Sequence, residues 1–110
     1  MRRFRKDIGT GMVMVRGEYM ATGGVALRAY DRGEPYATVT ICVPEIPLKD
    51  NEVILNHDIL WNDEFTKSFI DQFCEDGMAP VRYGYADSYK VKLKDGWEDL
   101  CMTAEEFFEQ

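Results

Sequence analysis

The stretch GEPYATVTICVPEIP, residues 33–47, holds a turn, a strand and a double proline exit in fifteen letters. From Pro35 to Val43 the residues alternate. Ala37, Val39, Ile41 and Val43 share one face, and Tyr36, Thr38, Thr40 and Cys42 share the other. A period of two with β-branched side chains predicts one continuous strand over 35–43. Pro44 and Pro47 then end it, because proline has no N–H to give a ladder. Asp31-Arg32-Gly33-Glu34 precedes it as a hairpin loop, so VALRAY (25–30) becomes its antiparallel partner, with Val25, Leu27 and Ala29 inward.

Working outward, MVMVRGEYM (12–20) suits a strand and Ala21–Gly24 a turn. EVIL (52–55) is a short strand. Residues 62–77, NDEFTKSFIDQFCEDG, read as the main helix. Phe65, Phe69 and Phe73 recur at four, Ile70 widens the stripe, Asn62 or Asp63 caps the start, and Gly77 suits the end. VRYGY (81–85) and SYKVKLK (88–94) form a second hairpin, with Tyr89, Val91 and Leu93 inward and Lys90, Lys92 and Lys94 toward water. TAEEFFEQ (103–110) opens with a capping box, Thr103 with Glu106, and predicts a terminal helix docked by Phe107.

Strand–strand neighbours dominate and no βαβ rhythm appears. The expected class is α+β: an antiparallel sheet of about five strands, one amphipathic helix packed on it and a short C-terminal helix. The runner-up is a small open barrel wrapped on a helix. The chain of 110 residues fits one domain, 1–110, with residues 1–8 as a basic arm. Apolar residues make up 45% and charged residues 30%, which is globular composition. No apolar run reaches membrane-spanning length, and Asp7, Gly9, Thr10 and Gly11 interrupt any signal-peptide core. A cytoplasmic protein with no membrane partner is the expectation. Three widely spaced cysteines, Cys42, Cys74 and Cys101, fit that compartment and make no CxxC pair.

The net charge is −7, unevenly spread. Arg2, Arg3, Arg5 and Lys6 crowd the first six residues, and the remaining 104 carry −11. Such a body repels phosphate backbones, so generic nucleic-acid binding is not expected. With one histidine, His57, a Ser–His–Asp triad rests on a single base, and the glycines at 9–11 and 23–24 match no phosphate-binding loop. His57, Asp58, Asp63 and Glu64 suggest a metal site, yet Asp63 and Glu64 open a helix, where capping explains them. No catalytic residue, cofactor or metal is expected. Tyr83, Tyr85 and Tyr89 beside Arg82 imitate a stacking platform, but the neighbouring lysines read more simply as a solvent face.

From Asp95 onward, the last sixteen residues hold six acids and no base. Trp97, Glu98, Asp99, Glu105, Glu106, Phe108 and Glu109 are the candidate partner-binding residues. Phe107 and Phe108 are adjacent, so a helix that docks one exposes the other. Two alternatives stand beside this interaction surface. One is a small metal- or cysteine-dependent enzyme built on His57 with a cysteine or Asp63. The other is a weak nucleic-acid binder using Arg2, Arg3 and Arg5 with Arg82 and Lys90.

GEPYATVTICVPEIPLKDNEVIL (33–55) resembles a small bacterial family, a domain of unknown function borne by plasmids, phages and integrative elements of gut bacteria. The resemblance spans residues 23–94 and is specific at 33–41. Gly77 and the run from Gly84-Tyr85 to Leu93 correspond to later family features, and HDILWNDEF (57–65) departs from them. It implies a context and no catalytic residue: an accessory factor of a mobile element, of the anti-CRISPR or anti-restriction type, that binds a host or element-encoded protein.

Overall fold

The structure is a computed structural model that describes residues 12–108. The stretch 33–47 turns a corner in it. Glu34–Thr38 (β3) pairs with Val25–Asp31 (β2), whereas Thr40–Ile41 (β4) pairs with Glu52–Leu55 (β5) in a different sheet. Val39 is the hinge. Its N–H donates to the Leu27 carbonyl at 3.0 Å, and its own carbonyl accepts the Asn56 N–H at 2.8 Å. Each sheet thus takes one of its backbone groups. The expected continuous strand is two strands, and alternation slips at the corner so that Val39 and Thr40 are both fully buried. Thr40 is not an outward residue. Its Oγ1 accepts the Leu27 N–H at 3.0 Å and lies 2.8 Å from the Tyr19 hydroxyl, which satisfies a polar group that burial would otherwise penalise.

The turn before it follows the sequence reading. Asp31 faces Glu34, and Arg32 and Gly33 take φ of 53° and 82°. Positive φ at both central residues is the primed turn whose twist matches that of the strands.

Among the described residues, eight strands form two four-stranded sheets in place of the single sheet expected, and the class remains α+β. The first runs β3-β2-β1-β8, with β1 at Met12–Glu18 and β8 at Cys101–Thr103. The second runs β4-β5-β7-β6, with β6 at Cys74–Tyr83 and β7 at Ala86–Leu93. Pairing is antiparallel except that β8 lies parallel to β1. No helix among the described residues is long and apolar enough to cross a membrane.

The main helix, α1, covers Asp63–Phe73. Asn62 caps it, its Oδ1 accepting the Phe65 N–H at 3.1 Å, and Asp63 and Glu64 favour the positive end of the helix dipole. It stops earlier than expected. Cys74 is already extended, and Gly77 (φ 96°) sits where the β6–β7 register shifts rather than at a helix end. The reason is tertiary. Lys94, at the end of β7, donates its N–H to the Phe73 carbonyl at 2.7 Å and its Nζ to the Asp71 carbonyl at 2.8 Å, which satisfies the last carbonyls there.

One core joins these parts: Met12, Met14 and Leu27 from the first sheet, Val53, Val91 and Leu93 from the second, and Phe65, Phe69 and Phe73 from α1. Burying each such side chain contributes on the order of 1.5–3 kcal/mol. The other face of the first sheet carries a smaller cluster, Val13, Val15, Tyr30 and Met102. The short helix α2, Ala104–Phe108, lies over it.

Candidate functional site

The acidic C-terminal segment divides into a buried and an exposed part. Trp97 opens a 3₁₀ helix, Trp97–Leu100, after Gly96 at φ 85°. Its indole is in the core, 6% exposed, and its Nε1 donates to Asn51 Oδ1 at 3.3 Å. Trp97 therefore anchors the segment and is not available as a contact residue. A large ring next to an apolar core gains more from burial than from water, whatever its acidic neighbours prefer. Glu98 and Asp99 follow it on the surface.

The capping box forms as read: the Glu106 N–H donates to Thr103 Oγ1 and the Thr103 N–H to Glu106 Oε1, both at 3.1 Å. Glu106 is thus part of the cap. Phe107 rests on Tyr30 with ring centroids 4.5 Å apart. Phe108, 65% exposed, touches Tyr30 and Phe107 edge-on at 5.8 and 5.0 Å. Glu105 is exposed on the same helix. Glu109 and the basic residues Arg2, Arg3, Arg5 and Lys6 lie outside the described residues.

His57 begins another 3₁₀ helix, His57–Trp61. Its Nδ1 lies 2.7 Å from the Asp87 carbonyl. A carbonyl only accepts, so Nδ1 carries the proton of this bond. The His57 N–H donates to the Tyr83 hydroxyl at 2.8 Å, and the ring meets Trp61 edge-on at 6.1 Å. These contacts tie the 3₁₀ helix to the β6–β7 hairpin, where Arg82 Nε pairs with Asp87 Oδ1 at 2.8 Å. The guanidinium's hydrogen bond and charge lower the Asp87 pKa, and the carboxylate raises that of Arg82.

None of the contacts of His57 is a cysteine. Cys74 is buried, and desolvation pushes its thiol up to about 12. Cys101 is buried, its Sγ 3.6 Å from the Trp97 carbonyl. Cys42 is half-buried, its Sγ 3.7 Å from Thr22 Oγ1, in a 560 Å³ groove between the β1–β2 turn and residues 41–53. Among the described residues no three of His, Cys, Asp or Glu gather at metal-binding distance, and His57, Asp58, Asp63 and Glu64 do not converge.

The outward face of the opening stretch serves the fold. The Tyr36 ring lies 5.3 Å from that of Phe65, and its hydroxyl accepts Asn62 Nδ2 at 2.7 Å, which seats the start of α1. Two exposed aromatics emerge that residue order did not single out as a pair: Trp61, 82% exposed, and Tyr85, fully exposed at the hairpin tip. The His57–Asp87 and His57–Tyr83 bonds hold the 3₁₀ helix that carries Trp61 against the β6–β7 hairpin. That closeness crosses nearly thirty residues and leaves no local signal. Comparison of the chain with protein families, with curated proteins and with solved structures gives no match.

Proposed function

We propose that this protein is a cytoplasmic interaction module that binds a host or element-encoded protein through its acidic C-terminal end and works by occupancy rather than catalysis. The observation that supports it is Phe108. The ring stays 65% exposed on a helix that Phe107 and the capping box hold against the body, with Glu105 beside it. An exposed aromatic on a pre-ordered helix loses little entropy on binding, and such residues dominate interface energetics. The exposed Glu105 carboxylate on the same helix favours a basic partner. A defence nuclease, whose DNA-binding face is basic, is the specific form of this reading that the resemblance at 33–41 suggests. The test is affinity capture from host cells that carry restriction or CRISPR systems, with wild type against Phe108→Ala and Glu105→Lys. Capture of one basic protein by wild type and its loss in both variants supports the reading. Equal capture by all three proteins removes it.

A further inference from the structure

We infer that the end of the molecule built from Trp61, Asp58 and His57 is a second binding surface, which receives an arginine side chain of a basic partner protein. In a 3₁₀ helix residues three apart eclipse one another, so Asp58 and Trp61 project from the same side of His57–Trp61. Trp61 is 82% exposed, which leaves ring surface open to a ligand. The Asp58 carboxylate meets no cation among the described residues, and exposed Asp63 follows at the start of α1. The Nδ1–H bond of His57 to the Asp87 backbone carbonyl fixes its ring edge-on beside Trp61.

An exposed aromatic face and a carboxylate on the same side of a short helix together match a guanidinium. It is planar, stacks on indole and offers several N–H donors in a fixed fork, which a lysine ammonium does not. The carboxylates here disfavour a phosphate backbone, so stacked bases are the weaker fit for this aromatic end. The surface is pre-organised because the hydrogen bonds of His57 hold the 3₁₀ helix to the β6–β7 hairpin. It shares no residue with the Phe108 surface and does not depend on it.

The test uses the full ¹⁵N-labelled chain and a short peptide of alternating arginine and glycine, followed by NMR. The two indole signals are separable, since Trp61 is exposed and Trp97 buried. The arginine peptide is expected to move the Trp61 indole and the His57 and Asp58 amides while leaving the Trp97 indole in place. Trp61→Ala weakens binding about tenfold, the scale of a partly desolvated cation–π contact. Asp58→Asn weakens it as well. An exposed Trp61 makes the variant foldable, and circular dichroism verifies that. Unchanged affinity in Trp61→Ala, equal binding of the matching lysine–glycine peptide, or stronger shifts of the same signals by a single-stranded DNA oligonucleotide would each overturn the inference.

Discussion

Phe107 packs on Tyr30 with ring centroids 4.5 Å apart, while its neighbour Phe108 remains 65% exposed. The two residues differ in what truncation removes. Phe107→Ala uncovers the small cluster of Val13, Val15, Tyr30 and Met102 and is expected to cost about 1–3 kcal/mol, below the full-burial figure because Phe107 is only partly buried. Phe108→Ala is expected to change stability by less than about 1 kcal/mol and to abolish partner capture. Urea unfolding of both variants, run beside the capture assay, checks the pair.

Thr103→Ala removes the hydroxyl that receives the Glu106 N–H. The expected cost is about 1 kcal/mol, and because α2 frays, capture through Phe108 weakens with it. Thr103→Ser keeps the oxygen and restores both. Loss of capture in the serine variant as well would show that the cap does not hold the surface in place.

Thr40 and Tyr19 share a half-buried hydrogen bond of 2.8 Å, and Thr40 also accepts the Leu27 N–H. Thr40→Val keeps the shape and deletes the oxygen, leaving the Leu27 N–H without that acceptor. It is expected to cost about 1–3 kcal/mol. Tyr19→Phe removes one bond and costs about 1 kcal/mol. A double-mutant cycle is expected to show positive coupling, and additive losses would refute the shared bond.

The thiols are expected to separate by burial. With a thiol-reactive dye near neutral pH, half-buried Cys42 reacts first, while Cys74 and Cys101 react only as the protein opens. The raised thiol pKa of Cys74 also sets a sign. From about 9 to about 12 the unfolded thiol has lost its proton and the folded one keeps it. The unfolded state then binds fewer protons, so this contribution is complete below about 9 and disappears as pH rises through about 12. Chemical unfolding at rising alkaline pH checks it, and Cys74→Ala is expected to lose stability less steeply over that range.

Local chemistry was legible from residue order. The turn at Arg32-Gly33, the Asn62 cap, the phenylalanine stripe of α1 and the Thr103–Glu106 box each involve residues within a few positions of one another, where backbone preference and side-chain reach decide the outcome. The candidate surface was legible in part. Adjacency alone says that Phe107 and Phe108 cannot share one narrow helix face, but not that Trp97 would leave the segment for the core and bond Asn51.

The α+β class, the two hairpins, the start of the main helix and the excess of carboxylates are all readable in residue order. The remaining features come from contacts between residues far apart in the chain. Val39 divides its N–H and carbonyl between two sheets, Lys94 ends α1 by taking its last carbonyls, β8 returns beside β1, and His57 joins Trp61 to the β6–β7 hairpin. In every one of these the deciding partner lies far along the chain. A backbone group takes whichever partner the packed core brings near, and a strand pattern such as residues 35–43 states that it will pair without stating in which sheet.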